Sequence, residues 1–415
     1  MIEVLFKRTT VLKRYREGPH ALEREAYLQH CAAQGYSHSM LRKIAWVLLS
    51  VASRVGIGDG VVTIQDIELA VDGRKQFKRQ ITNSTQSASS TRELAIHFVT
   101  LWVRWLGKLQ DIPPGPVTFA EQVNAFSKYM REERGLSPVT IFTRCERLNW
   151  FFSSLPRGRD TLHAITPLDI DAFIESKGKD GWTRASMSAL ASSLRSFFKF
   201  AEARGWCCCG ITAVIQSPRI YMRERVPQGP GWEDVQRLLV STSGDGSTDI
   251  RDHAILTLLA LYGLRRGEVA ALQLNDVDWQ AELIHVTRPK QRVSQRYPLL
   301  PVVGEAILRY LRYARPCCSH RALFLTIHAP FRALSAGSIT ALARLHLSRL
   351  GLTLSPGGAH CLRHACASHL LASGFSLKQI GDHLGHRSAN STLSYTKVDM
   401  KGLRQVAEID MGALL

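Results

Sequence analysis

The sequence has 415 residues, more than one compact core usually organises, so we expect two or three domains. It has no run of about 18 apolar residues, which excludes a transmembrane helix, and its start lacks a signal-peptide pattern, so we expect a cytoplasmic protein with no membrane partner. Lys and Arg number 53 against 35 Asp and Glu, a formal charge of +18, which favours a polyanionic partner such as nucleic acid.

Two segments rich in proline and glycine interrupt the chain at residues 111–119 and 226–232. They predict a division into three parts. We expect an N-terminal helical domain over residues 1–110, a second helical domain over 117–207 and a larger domain over 219–415.

The first two parts have similar patterns. Each begins with two amphipathic helices separated by a glycine turn and a serine cap, Gly35 with Ser37 and Gly135 with Ser137. Further matching pairs are Asp66-Ile67 with Asp169-Ile170, each after a short loop, and Thr91-Arg92 with Thr183-Arg184, each at the start of an expected helix. Helical periodicity without strand signals predicts two helical bundles, of which the first is a degenerate copy of the second. The alternative is that unrelated bundles share these patterns by chance.

The third part mixes element types. Residues 232–241 and 249–263 have helical patterns, whereas residues 274–289 and 294–300 read as short strands around turns. After Pro301 the pattern is helical again. We therefore expect a mainly α fold with a small antiparallel β-sheet in this domain.

Arg265 follows an apolar helix and a glycine turn, and Glu268 lies one helical turn later. An arginine at the end of a rigid helix suits precise binding of an anion, and the acid can hold the guanidinium from behind. The alternative is an ordinary surface ion pair, which contributes little.

The segment VTRPKQRVSQRYPLL has a hairpin pattern with Lys290 near its tip. A lysine there can reach a phosphate or a leaving oxygen. Arg288 and Arg292 are the competing residues of this hairpin, and a solvated surface lysine is the alternative.

The segment GAHCLRHACASHLL places His360 and Arg363 on one face of a helix. His360 and His364 are also four residues apart, as in a zinc-protease helix, but Cys361 stands where the H-E-x-x-H pattern has its glutamate. We therefore expect no metal or other cofactor, and we interpret His364, His369 and His383 as packing or surface residues.

His386 follows a glycine turn, and Tyr395 lies nine residues further on, where we expect a short helix. Alone, each is more often a packing residue. Together with two arginines and a lysine, they form a chemically coherent set. Arginines can neutralise a phosphodiester at its transition state, a tyrosine can attack phosphorus, and histidine and lysine can move protons.

This ordered set resembles that of the tyrosine recombinase (phage integrase) family: Arg, Lys, His-x-x-Arg, His or Trp, and Tyr. Residues 219–415 are similar to its catalytic domain, and residues 117–207 resemble its helical, SAM-like core-binding domain. The resemblance implies these catalytic residues: Arg265, Lys290, His360, Arg363, His386 and the nucleophile Tyr395.

The family resemblance also implies the reaction and the partners. Tyr395 would form a 3′-phosphotyrosyl link to double-stranded DNA at a specific site, without ATP or a metal. Arg265, Arg363 and His386 would bind the phosphate, Lys290 would protonate the leaving oxygen, and His360 would assist proton transfer from the tyrosine. Strand exchange would need a DNA-bound homo-tetramer, alone or with other recombinase subunits.

Two further parts of the chain are each compatible with more than one role. The extra N-terminal domain could extend the DNA footprint, contact accessory sites or join protomers. The tail over residues 398–415 has the pattern of an amphipathic helix, which could dock into a neighbouring protomer or pack on its own domain.

Three alternative functions remain at this point: a type IB topoisomerase, which reseals the original strand, an idle DNA-binding accessory subunit, and a zinc hydrolase, which activity that survives chelation would exclude. The six filled catalytic positions argue against the idle subunit. The duplicated front end favours a recombinase of a mobile element over a housekeeping resolvase.

Overall fold

A computed structural model of the chain describes residues 1–57, 60–73, 88–110, 118–219, 229–288, 293–352, 354, 357–386, 389–393 and 395. Backbone contacts divide the chain into two compact units. One unit consists of Met1–Leu109 together with Arg225–Leu415, and the other is Gln110–Glu224. The expected three-part division stays a prediction.

The described residues among the first 109 form a helical bundle around a core that includes Leu28, Leu48 and Trp102. These side chains are fully buried, as expected for the apolar face of each helix. The helices are α1 (Ile2–Leu5), α2 (Thr9–Glu17), α3 (Ala21–Ala33), α4 (His38–Val51), α5 (Ile64–Asp72) and α6 (Ala88–Trp105).

Residues 118–219 form a second helical bundle, whose core is rich in aromatic side chains such as Phe126, Phe151 and Phe197. Edge-to-face contacts between these rings fix the packing of its helices. The helices are α7 (Ala120–Glu132), α8 (Pro138–Ser153), α9 (Pro167–Lys179), α10 (Arg184–Glu202) and α11 (Ile211–Val214), with a 3₁₀ turn at Leu162–Ala164.

The two bundles share local features at corresponding helix starts. Gly35 and Gly135 both have left-handed φ angles, and Ser37 and Ser137 both cap the following helix by accepting a backbone amide hydrogen bond. Both Asp-Ile pairs begin a helix through a reciprocal capping box, Thr63 with Asp66 and Thr166 with Asp169. The predicted turns and caps are confirmed, while duplication of the domain stays a prediction.

The Thr-Arg pairs differ between the bundles. Thr183 caps the start of α10, but α6 begins at Ala88, so Thr91 lies inside that helix. The expectation that both helices begin at this pair is therefore wrong for the first bundle.

The described residues between 229 and 395 surround a core built on α13, a helix that is buried on almost every side from Ala254 to Ala260. The helices are α12 (Trp232–Ser241), α13 (Ser247–Leu261), α14 (Arg266–Ala271), α15 (Pro301–Tyr313), α16 (Ala336–Arg349), α17 (Ala359–Ala372), α18 (Leu377–Leu384) and α19 (Ala389–Thr392). A 3₁₀ turn covers Leu274–Asp276.

A three-stranded antiparallel sheet lies between α14 and α15 in the sequence, with strand order β1 (Val277–Asp278), β2 (Leu283–Arg288) and β3 (Val293–Pro298). Ile284 pairs with Tyr297, and Arg288 pairs with Val293. The predicted hairpin and the predicted fold class, mainly α with a small antiparallel sheet, are both confirmed.

The described helices include none with the length and apolar character needed to cross a membrane.

Candidate active site

Arg265 stands between the end of α13 and the start of α14, after a turn in which Gly263 has a left-handed φ of 58°. Its backbone N–H donates to Oε2 of Glu268 at 2.8 Å, and its Nη1 donates to Oε1 at 2.6 Å. Glu268 is only 5% exposed, whereas the Arg265 side chain is 38% exposed. The carboxylate therefore holds the guanidinium from the interior and leaves part of it open to solvent.

Arg363 projects from α17 and is buried. Its Nη1 donates to the Gly263 carbonyl at 2.6 Å, and its Nη2 donates to the Leu384 carbonyl at 2.8 Å. Burial and the neighbouring Arg265 lower the pKa of Arg363 to about 10, so the side chain still carries its charge at neutral pH.

The turn after α18, residues 384–386, is the point at which the arginines meet. Arg265 Nη2 donates to the Gly385 carbonyl at 2.9 Å, next to the Leu384 carbonyl that Arg363 contacts. Gly385 ends the helix with a left-handed φ of 61°. Two cationic side chains, one from the turn before α14 and one from α17, therefore bond to the turn that carries His386.

His386 is held by bonds on its backbone and its ring. Its N–H donates to the Gly381 carbonyl at 2.8 Å, and its Nδ1 lies 2.6 Å from Oγ1 of Thr392. Burial, followed by the charges of Arg363 and Arg265, lowers the pKa of His386 to about 4. The ring is therefore neutral at ordinary pH and can offer a hydrogen bond from Nε2 when Nδ1 accepts from the threonine.

Tyr395 follows the short helix α19 and is 2% exposed. Its ring packs in a small apolar cluster with Cys366, Ile380 and Leu384. It also lies parallel to the His386 ring, with 6.3 Å between the centroids. Burial raises the pKa of Tyr395 to about 12, so its hydroxyl is protonated in this structure.

Nδ1 of His364 lies 2.9 Å from the Tyr395 hydroxyl oxygen. The interpretation of His364 as a packing or surface residue did not anticipate this contact with the Tyr395 hydroxyl. Its spacing from His360 was the available signal, because the two rings do share a helix face, with centroids 4.3 Å apart. His360 itself is exposed.

Arg288 is a second residue that the sequence interpretation undervalued. It is buried at the end of β2, on the same face as Ile284 and Val286, and donates to the Leu384 carbonyl and to the Tyr297 hydroxyl. Its Nε is 3.9 Å from Oε1 of Glu268. The strand alternation could have predicted this inward orientation.

The remaining histidines of this region have packing contacts. His369 stacks on Trp232 with 3.8 Å between ring centroids, and His383 packs edge-on against Tyr297. Over the described ranges, no three His, Cys, Asp or Glu side chains group as the ligands of a metal ion would.

Two predictions fall outside the described residues. Lys290, with its competitor Arg292, belongs to residues 289–292, and the tail over 398–415 also lies beyond the described part of the chain. The role of each stays a prediction.

Comparisons with known proteins agree with this architecture. Residues 232–401 match the family model described as "Phage integrase family", and residues 123–205 match "Phage integrase, N-terminal SAM-like domain". The SAM-like match lies inside the second helical bundle.

Relatives extend the match along the chain. The tyrosine recombinase XerC of Rhodospirillum centenum is 32% identical over 70% of this chain and 86% of its own length. The integrase/recombinase y4rF of Sinorhizobium fredii is 29% identical over 98% of this chain and 95% of its own, so its match includes the first bundle.

The fold is also that of a solved structure, a lambda integrase tetramer bound to a Holliday junction. It covers 73% of this chain and 86% of its own, with a TM-score of 0.51 and 18% identity. Taken with the XerC relative and the two family matches, this identifies the chain as a member of the tyrosine recombinase (phage integrase) family of site-specific DNA recombinases.

Proposed function

We propose that this protein exchanges DNA strands at specific sites through a covalent 3′-phosphotyrosyl intermediate on Tyr395. The observation that carries the proposal is the grouping of cationic and nucleophilic side chains around one turn. Arg265 and Arg363 bond to the consecutive carbonyls of residues 385 and 384, and the next residue, His386, lies beside the Tyr395 ring.

The reaction conserves the energy of the phosphodiester. Oη of Tyr395 forms a bond to phosphorus, the bond from phosphorus to the 5′-oxygen breaks, and that oxygen leaves as a hydroxyl. The 5′-hydroxyl of a partner strand then attacks the phosphotyrosyl link and restores a phosphodiester. Because the link stores the bond energy, the cycle needs no ATP.

The positive charge for this step comes from side chains. Arg265 and Arg363 bind the non-bridging oxygens, and His386 adds a hydrogen bond. Each such donor contributes about 2.7–4 kcal/mol to transition-state stabilisation, by analogy with the removal of one oxyanion-hole donor. We assign Lys290 as the acid for the leaving oxygen and His360 as a residue that assists proton transfer from the tyrosine. Guanidinium and ammonium groups can therefore carry out the chemistry without a metal ion.

Glu268 supports the arginines. It is buried, lies 2.6 Å from Arg265 and is 3.9 Å from the buried Arg288. A fixed carboxylate at this position offsets their mutual repulsion and holds Arg265 in one orientation before DNA binds.

We further propose that the active form is a homo-tetramer on two DNA sites, alone or with other recombinase subunits. Two sites of two strands each need four nucleophiles. The lambda integrase structure of the same fold is a tetramer bound to a Holliday junction, which supports this assembly. The +18 formal charge provides the attraction for DNA.

The division into domains belongs to the same proposal. Residues 219–415 carry catalysis, residues 117–207 grip the DNA as a core-binding domain, and residues 1–110 are a degenerate copy of that domain. We assign the protein to the cytoplasm. We also assign it to a mobile element, because a duplicated N-terminal domain suits a recombinase that must recognise the ends of its own element.

The experiment is a suicide-substrate assay. Nicked duplexes made from the repeats that border the locus are incubated with the wild-type chain and with Tyr395→Phe. We expect a covalent protein–DNA adduct from the wild type and none from the variant.

Tyr310→Phe is the matched control, because Tyr310 is fully buried in the same domain and its hydroxyl accepts from the Leu325 amide. That variant should still form the adduct. Absence of an adduct from the wild type on every border repeat would refute the proposal. Relaxation of supercoiled DNA without recombinant products would instead indicate a topoisomerase.

A further inference from the structure

The hydroxyl of the proposed nucleophile makes a contact that the family pattern of catalytic residues does not use. Oη of Tyr395 lies 2.9 Å from Nδ1 of His364, and the two rings meet edge-on with 5.5 Å between centroids. Tyr395 is 2% exposed, and His364 is half-buried. A hydroxyl and a ring nitrogen within hydrogen-bond distance have the geometry of a nucleophile and its base.

We propose that His364 is the general base that takes the proton from Tyr395 when the tyrosine attacks the scissile phosphate. The inference rests on the proposed function, in which Tyr395 is the nucleophile. His360 assists by its contact with His364. The two rings lie edge-on with centroids 4.3 Å apart, and His360 is on the side of the helix that is exposed to solvent.

The step balances in atoms and charge. The Oη–H bond of Tyr395 breaks, its proton moves to Nδ1 of His364, and the oxygen forms its bond to phosphorus. The bond from phosphorus to the 5′-oxygen breaks, and that oxygen takes a proton from the acid, which we assign to Lys290. On rejoining, the attacking 5′-hydroxyl gives its proton to the amine of Lys290, the bond from phosphorus to Tyr395 breaks, and the imidazolium of His364 returns its proton to the departing Tyr395 oxygen.

The surroundings of His364 keep its ring neutral until DNA arrives. Burial, the neighbouring His360 and the charge of Arg363 lower the pKa of His364 to about 4, and His386 and Tyr395 also face the ring. A neutral ring with its proton on Nε2 leaves the Nδ1 lone pair for the tyrosine. A bound phosphate offsets the charge of Arg363 and so raises the basicity of His364 at the moment of attack.

The central variant is His364→Asn. The side-chain amide of asparagine reaches about the place of Nδ1, so it can keep a hydrogen bond to Tyr395, but an amide does not accept a proton at neutral pH. His369→Asn is the matched control: His369 lies on the same helix and stacks on Trp232, away from the nucleophile. Adduct formation is measured in a single turnover on the nicked substrate, and DNA binding is measured alongside.

We expect His364→Asn to bind DNA like the wild type but to form the adduct about 10²–10⁴-fold more slowly, the usual contribution of a general base. The defect should persist when sulfur replaces the bridging 5′-oxygen, since a thiolate leaves without protonation. Lys290→Ala should instead recover on that substrate. The proposal would be overturned if His364→Asn formed the adduct at a rate within about threefold of the wild type. It would also be overturned if the substrate with a bridging 5′-sulfur restored the rate of His364→Asn.

A second measurement separates a base from a merely structural contact. Fluorinated tyrosine, inserted at position 395 alone, has a more acidic hydroxyl and needs less help from a base. It should restore much of the lost rate in His364→Asn, and no restoration would contradict the proposal. If His364→Asn fails to fold, His364→Ala, which also removes the base, takes its place in both measurements.

The adduct assay distinguishes an error in the role of His364 from an error in the proposed recombinase function. If the wild type forms no adduct, the recombinase function itself is wrong. If the wild type forms the adduct and His364→Asn matches it, only the role of His364 is wrong.

Discussion

Replacing Glu268 by glutamine tests how the site holds its cations. The carboxylate lies 2.6 Å from Nη1 of Arg265 and 3.9 Å from Nε of Arg288, which is 2% exposed. Two unit charges about 4 Å apart attract by about 4 kcal/mol at an effective dielectric constant of about 20. The partly exposed Arg265 pair adds less, about 1 kcal/mol or below.

Glu268→Gln keeps the size of the side chain and an acceptor for the Arg265 amide but removes the charge. Breaking a buried pair on one side costs about 3–5 kcal/mol, and we expect the free energy of unfolding to fall by that amount. Arg265 keeps its own charge and loses its fixed orientation. We therefore expect the rate of adduct formation to fall about 10–100-fold, which corresponds to about 1.4–2.7 kcal/mol of transition-state stabilisation.

Urea unfolding followed by circular dichroism measures the first quantity, and single-turnover adduct formation measures the second. Asp276→Asn is the control, because Asp276 accepts the Gln273 amide at 2.7 Å in the same capping geometry as Glu268. Loss of such a cap alone costs about 1 kcal/mol. If Glu268→Gln lowers the free energy of unfolding, or the rate of adduct formation, by no more than Asp276→Asn does, the electrostatic reasoning is refuted.

A double-mutant cycle with Arg288→Met identifies the source of the penalty. If the buried pair of Glu268 and Arg288 is responsible, the glutamine substitution should cost about 0.5–3 kcal/mol less when the arginine is absent. An unchanged cost would mean that this pair contributes nothing.

The turn that carries His386 yields two more predictions. Thr392→Val removes the 2.6 Å contact to the His386 ring and should slow adduct formation about 5–10-fold, of the order expected for one hydrogen bond. Thr392→Ser keeps the hydroxyl and should stay near the wild-type rate. Equal rates for the wild type and both variants would show that the contact is dispensable. Gly385→Ala should abolish adduct formation and lower the midpoint of thermal unfolding, because the new Cβ meets a left-handed φ and overlaps a buried guanidinium. Gly374→Ala meets only a left-handed φ with open space around it, so it should cost about 1–2 kcal/mol; a similar effect of both glycine substitutions would contradict the overlap.

Local chemistry explains why part of the structure could be predicted from the sequence. Ser37 and Ser137 cap helices because a serine hydroxyl satisfies a free amide wherever a helix begins, and this needs no tertiary information. The hairpin and the contact between Arg265 and Glu268 likewise depend on residues close together in the chain. Such features follow from periodicity and spacing alone.

The contacts that were missed depend on distant parts of the chain. His364 and Tyr395 are 31 residues apart, and their contact exists only because the segment after α18 folds back onto α17. The burial of Arg288 was not predicted, because a charged residue is rarely found in a core. The alternation along β2 nevertheless places it on the buried face of the strand. Its burial depends on carbonyl and hydroxyl partners that the linear sequence does not reveal.

The proposed function requires that Tyr395 becomes covalently joined to DNA. The most direct measurement traps the adduct on a nicked border-repeat duplex, digests the DNA and the protein, and identifies the modified peptide by mass spectrometry. We expect a nucleotide attached through a 3′-phosphate to the oxygen of Tyr395. Attachment to any other residue, or DNA cleavage with no nucleotide attached to the protein, would contradict it.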